Sequence, residues 1–151
     1  MLGILHECTL AHATARAETE EIDDLNILQA SFLAMKRAVL LVQEQVSIHL
    51  GVDASKIMVL VDGRQTIPKL GMLQAAVVGG DASVKAIAAA SIFAKQARDG
   101  MMQEMDTRYP GYGFAKNVGY GTKQHMDALK ELGPVAIHRK SFGPVKRSLF
   151  R

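Results

Sequence analysis

Tryptophan is absent from this chain, and cysteine occurs once, as Cys8. A lone cysteine excludes an internal disulfide framework, so a reducing, cytoplasmic location is expected. Without tryptophan, any base-stacking surface must use Tyr or Phe. Long apolar runs are missing too. Nothing approaches the ~18 uncharged residues of a membrane span, so no membrane partner is expected. Met1 to Cys8 lack the basic start and apolar stretch of a secretory signal. Hydrophobic residues at 48% and charged residues at 22% match an ordinary globular protein and exclude disorder as the main state. The 151 residues suffice for one domain with its own core.

What charge there is lies unevenly. Residues 1–62 carry four basic and nine acidic groups, net −5, and residues 63–151 carry fourteen and six, net +8. The basic half suits a polyanion such as nucleic acid. A solvated basic surface without a partner accounts for the charge equally well.

Along the chain, residues 9–17 have Ala at alternate positions, which favours a strand over a short helix. Thr19 is placed to cap a helix. Glu20, Glu21, Asp23 and Asp24 follow in its first turn. They could form a metal cluster, but the helix dipole already favours acids there. Ile22, Leu25, Leu28, Phe32, Met35, Val39, Val42 and Val46 recur at steps of three and four, predicting one core-packing helix from about Glu20 to His49. Ile57–Val61 is a continuous apolar run, read as a buried strand that ends at Asp62. Ala75–Val78 reads as a second strand, with Asp81 just beyond it. A helix is expected over about Ala82–Arg108, its first turns small enough to approach another backbone closely. Tyr109–Thr122 is a loop rich in glycine and aromatics. Thr122 should cap a helix over Lys123–Leu132 that ends at Gly133-Pro134. The tail from Ile137 is basic.

Few chemistries fit. There is no Gly-x-Ser-x-Gly nucleophile motif, no His pair at zinc-ligand spacing and no P-loop. Cys8 reads as structural, and His138 as a hydrogen-bonded structural histidine. Asp62 and Asp81 are the best candidates. Acids at strand ends suit Mg²⁺ or Mn²⁺, and paired metal ions assist phosphodiester hydrolysis. The alternatives are a turn residue at Asp62 and a helix cap at Asp81.

Several segments, in order over about residues 9–147, resemble one family. They are Glu21–Arg37; Leu60-Val61-Asp62-Gly63; Gly80-Asp81 with Ala89–Lys95 and Arg98-Asp99; Pro110–Phe114 with Gly119–Thr122; and Ile137–Val145. Together they resemble bacterial ribonuclease HII. The resemblance implies an α/β, ribonuclease H-like fold. It implies a metal-dependent endonuclease that cuts the RNA strand of RNA/DNA hybrids and nicks 5′ of ribonucleotides embedded in duplex DNA, leaving a 3′-hydroxyl and a 5′-phosphate. Asp62 and Asp81 match the third and fourth of four metal-binding acids, for Mn²⁺ or Mg²⁺. Tyr120 matches the tyrosine that packs on the sugar beside the ribonucleotide–DNA junction. Lys95, Lys116, Lys123 and Arg139, in or beside these motifs, are the expected nucleic-acid contacts.

The sequence departs from that pattern in places. The Asp-Glu-Ala-Gly-Arg-Gly motif, which carries the first two acids, does not occur. The expectation is a partial domain over residues 1–151, without the N-terminal portion and the first strands of the central sheet, with a basic tail at about 137–151. Such a sheet should expose a strand edge and apolar surface. Gly79 stands where lysine is common. Asn117-Val118 stands where His-Lys is common, removing an expected phosphate contact.

Overall fold

The computed structural model describes residues 2–149. The chain forms two compact units, one comprising the residues up to Ala17 with Leu28–Ala94, the other Glu18–Ile27 with the chain from Lys95 onward. The elements are α1 (Leu2–Cys8), α2 (Thr19–Leu25), α3 (Ile27–Leu50), a 3-10 turn (Ala54–Lys56), β1 (Met58–Asp62), β2 (Leu73–Val77), α4 (Gly80–Ser83), α5 (Lys85–Arg108), α6 (Phe114–Asn117), α7 (Lys123–Leu132) and α8 (Gly143–Leu149). This is the expected mixed α/β class.

In the first unit β1 and β2 pair in parallel, from Met58 opposite Leu73 to Asp62 opposite Val77. The connection between them contains no helix. Gln74 closes it instead: its side-chain oxygen accepts from Ile67 N–H (2.8 Å) and its amide donates to Ile67 O (2.9 Å). That exchange imitates one rung of a ladder and holds Ile67 in the core. Lys36 Nζ ties α3 to the same loop by donating to Lys69 O (2.8 Å). Phe32, Val61, Ile67 and Leu70 form the core, with Val39, Val59 and Met72 packed on it.

Only one face of β1 is covered. Val61 is 4% exposed, whereas Met58 (53%), Leu60 (38%) and Leu73 (64%) lie open. The fully buried strand expected from the apolar run is therefore corrected to a half-covered one. Exposed apolar sheet surface is what the resemblance led us to expect. The helical stripe behaves similarly. Phe32 is buried, but Leu25, Leu28 and Met35 are exposed. Periodicity reports which face could be buried, not what is present to bury it.

Other boundaries also differ from expectation. The single helix over Glu20–His49 is two, because Asn26 takes a positive φ of 72° and interrupts it. With ψ 163° it lies outside the left-handed helical region, in a conformation that residues other than glycine seldom adopt. The cap is Glu18 rather than Thr19, and Glu18 N–H donates to the Glu21 carboxylate three residues on (2.8 Å). Residues 11–17 do alternate between half-buried and exposed, but they form no strand, because the sheet of the described residues contains only β1 and β2. The helix expected from Ala82 divides at Val84, whose extended backbone (φ −120°, ψ 114°) separates α4 from α5. Ala86, Ala90 and Ser91 of α5 are exposed rather than pressed against a backbone.

The second unit is built on Met102, Tyr112, Phe114 and Ala128, with Met101, Met105, Tyr109, Val118, Val135 and Ile137 around them. Here local signals match the structure. Thr122 caps α7, its hydroxyl accepting from His125 N–H (3.3 Å), and Gly133 ends it at φ 78°. The basic tail contains α8, for which the sequence offered no periodic signal.

Candidate functional site

Asp62 is the last residue of β1, and Asp81 lies in the first turn of α4. Gly63 N–H donates to Val77 O (2.9 Å), so pairing with β2 continues past Asp62. Gly80 N–H donates to Asp62 Oδ1 (2.9 Å). The residue immediately before Asp81 is thereby joined, through its N–H, to the carboxylate of Asp62. Gly80 is needed for this approach: a Cβ there would stand 2.5 Å from Ile87 Cδ1 and 3.3 Å from Asp62 Oδ1. Gly79, where lysine was noted as common, has φ 66°, a conformation that favours glycine. It caps α4, so Asp81 does not, and the helix-cap alternative for Asp81 is set aside.

Both carboxylates are exposed. One oxygen of Asp62 is engaged by Gly80, and the other remains open to further donors or a cation. Among the described residues, no group of three or more His, Cys, Asp or Glu is arranged to hold a metal ion. Two carboxylates nevertheless fit a hard divalent cation of the Mg²⁺ kind. Such ions keep several waters and are bound through one or two carboxylates together with substrate phosphates.

The remaining candidates belong to the second unit. Tyr120 is 69% exposed on the turn after α6. Its N–H donates to Asn117 O (2.8 Å), and its carbonyl accepts from Thr122 N–H (2.8 Å). Lys116 lies in the last turn of α6 and Lys123 begins α7, both exposed. Lys95 is paired with Asp99 one helical turn on (2.7 Å), an exposed pair of small energetic weight. The Arg139 guanidinium lies 5.3 Å from the centre of the Phe142 ring.

Sequence reasoning missed the groups that hold these side chains. Asn117 is 5% exposed, and its amide donates to Tyr112 O (2.8 Å) while its oxygen accepts from Gly119 N–H (2.8 Å). Residue 117 thus faces inward and supports the turn. Its departure from the common histidine therefore bears on loop support. Arg98 Nη2 donates to Val118 O (2.8 Å). Asp23 accepts from Lys140 N–H (2.8 Å), Ser141 N–H (3.0 Å) and the Ser141 hydroxyl. Only Glu20 and Glu21 lie in the first turn of α2; Asp23, beyond it, anchors the tail, and among the described residues the four acids form no group arranged to hold a metal ion.

His138 is buried and hydrogen-bonded, as expected. Val135 N–H donates to its Nδ1 (2.9 Å), so the ring proton of the neutral form sits on Nε2. Nε2 lies 3.3 Å from His125 Nε2, and His125 Nδ1 lies 3.4 Å from both Tyr112 O and the Asn117 amide nitrogen. Burial, then the neighbouring His125, push His138 below its ordinary value, against a smaller upward effect of the Val135 backbone bond.

The family profile for Ribonuclease HII matches residues 3–145. This chain belongs to the ribonuclease HII family. It is 46% identical over 145 residues to the Ribonuclease HII of Aliivibrio fischeri strain MJ11, covering 96% of this chain and 65% of that relative. The Ribonuclease HII of Aliivibrio fischeri strain ATCC 700601 / ES114 is similar to the same extent, with 46% identity over 96% of this chain and 65% of its own length. The chain thus spans about two thirds of the length of the ribonuclease HII relatives it matches. All seven candidate side chains, from Asp62 to Arg139, fall within the segment matched by the family profile.

Proposed function

We propose that this chain acts in metal-dependent hydrolysis of ribonucleotide-containing duplexes: the RNA strand of RNA/DNA hybrids, and the bond 5′ of a ribonucleotide embedded in DNA. Asp62 and Asp81 would hold Mn²⁺ or Mg²⁺. When bound, the ion supplies a polarised phosphoryl oxygen and a more acidic water. Tyr120 would pack on the sugar at the junction. Lys95, Lys116, Lys123 and Arg139 would meet phosphates, contacts that set register rather than sequence preference. One observation carries the reading: in a chain of this family, the Asp62 carboxylate is held by the N–H of Gly80, the residue that precedes Asp81.

A second reading is duplex binding without turnover. It is favoured by the donor set, since no third carboxylate, His or Cys joins Asp62 and Asp81 among the described residues. The two readings separate in one assay. A labelled duplex with a single embedded ribonucleotide is incubated with the chain and Mn²⁺ or Mg²⁺. Slow cleavage that vanishes in Asp62→Asn supports hydrolysis. Divalent-dependent binding without cleavage, weakened in Asp62→Asn and Asp81→Asn, supports the binding reading. Failure to bind the duplex at low salt, or cleavage untouched by either substitution, overturns both.

A further inference from the structure

The turn that carries Tyr120 is held in an unfavourable shape. Val118 has φ 50° and Gly119 φ 79°. A β-branched residue seldom adopts a positive φ, and such a conformation persists only where its surroundings over-determine it. Two side chains do so here. Asn117 grips the turn from the buried side through Gly119 N–H. Arg98, on α5, grips it from the solvent side.

Arg98 touches three consecutive residues of the turn. Its Nη2 donates to Val118 O (2.8 Å). The same nitrogen stands 3.2 Å from where a Cβ on residue 119 would lie, so a side chain there would press on the guanidinium, and the φ of 79° itself favours glycine. The guanidinium carbon is 6.0 Å from the centre of the Tyr120 ring, on its face. The neighbouring acid on α5, Asp99, is paired with Lys95 instead. A planar guanidinium can bond a carbonyl in its plane while stacking its face on a ring; a lysine ammonium is a point charge with no plane to stack and so fixes a ring's orientation less well.

We propose that Arg98 is a positioning residue for Tyr120. It fixes the Val118–Tyr120 turn and the orientation of the ring, and so sharpens the preference for a duplex containing a ribonucleotide over an all-DNA duplex. This rests on the reading of Tyr120 as the residue that meets the junction sugar. Arg98 and Tyr120 are both exposed, so their contact adds little to stability. Loss of Arg98 should therefore loosen the ring without unfolding the protein.

The test uses the full chain with two readouts. The first is the ratio of affinities for a duplex with one embedded ribonucleotide and the same duplex in DNA. The second is the ¹⁹F resonance of Tyr120 after biosynthetic fluorotyrosine labelling, tractable because the chain has only three tyrosines. Arg98→Met should lower the affinity ratio about tenfold, the effect of one good contact. It should also shift and narrow the Tyr120 resonance toward that of a mobile ring, with an unchanged melting curve. Arg98→Lys should restore part of the ratio but not the resonance. If Tyr120→Ala leaves the ratio unchanged, or the parent chain shows no preference, the reading of Tyr120 fails and the inference falls with it. If Tyr120→Ala removes the preference while Arg98→Met alters neither ratio nor resonance, only the role of Arg98 is overturned. Should Arg98→Met melt early, Arg98→Lys decides alone, and a resonance identical to the parent's counts against positioning.

Discussion

The carboxylate of Asp23 accepts both the backbone N–H and the hydroxyl of Ser141, a residue 118 positions away. With Lys140 N–H as a third donor, one side chain in the second turn of α2 fixes the turn that follows Arg139. Burial by itself would raise the Asp23 carboxyl above 3.8. The Ser141 hydroxyl, the Ser141 and Lys140 amides and the charge of Arg139 outweigh it and hold the group below that value. A depressed carboxyl stabilises the fold above the unfolded value and loses that effect as pH falls through the folded one. Asp23→Asn should therefore be less stable than the parent at pH 7, by about 1–2 kcal/mol for charge-assisted bonds near solvent. The gap should close as pH drops below 3.8. Denaturant melts of both proteins between pH 7 and 2.5 check this, and a gap independent of pH would refute it.

The buried pair of His125 and His138 gives the opposite end of the pH range its own signature. His138 is held below 6.5, so the folded state favours its neutral form. The stability it provides is complete above 6.5 and is lost as pH falls from there toward the folded value. Protonation would also put a hydrogen on Nδ1, facing Val135 N–H. Unfolding free energy measured from pH 8 to pH 5 should decline in the parent and decline less in His138→Gln. Equal slopes would show that another group carries the dependence.

Gly80→Ala tests the support of Asp62. The added methyl meets Ile87 Cδ1, the tip of a buried side chain, and presses on Asp62 Oδ1. Overpacking of this kind costs about 1–3 kcal/mol. A lowered melting temperature is expected, together with weaker divalent-dependent duplex binding. Adding Ile87→Val should relieve part of the thermal loss. No relief would mean that Ile87 is not the obstacle.

The open face of the sheet should drive self-association. Met58, Leu60 and Leu73 present an apolar strip beside a two-stranded edge, a liability in solution. Replacing Met58 and Leu73 by Thr keeps strand propensity and removes apolar surface. Light scattering should then report a smaller mean mass at equal concentration, with little change in melting temperature. An unchanged mass would place the sticky surface elsewhere, with exposed Leu40 and Leu41 of α3 the next candidates.

Some of this protein was readable in one dimension because its causes are local. Helix α7 runs from its threonine cap to its terminating glycine as expected, since capping bonds join residues three or four apart. Asp62 and Asp81 stood out as candidates because an acid closing an apolar run is visible in sequence, and the ordered motifs around them pointed to the family. What required the tertiary structure was every decision made by a distant partner. The alternation at residues 11–17 promised a strand, but a strand exists only where another offers a ladder. The stripe on α3 promised burial, but burial needs a covering surface. Asp23 looked like a helix-dipole acid until Ser141 was seen to fold back onto it, and Asn117 and Arg98 became supports of Tyr120 only when the turn closed between them. Composition and periodicity state what each segment can do alone. Which of these possibilities is realised depends on contacts between residues far apart in the chain.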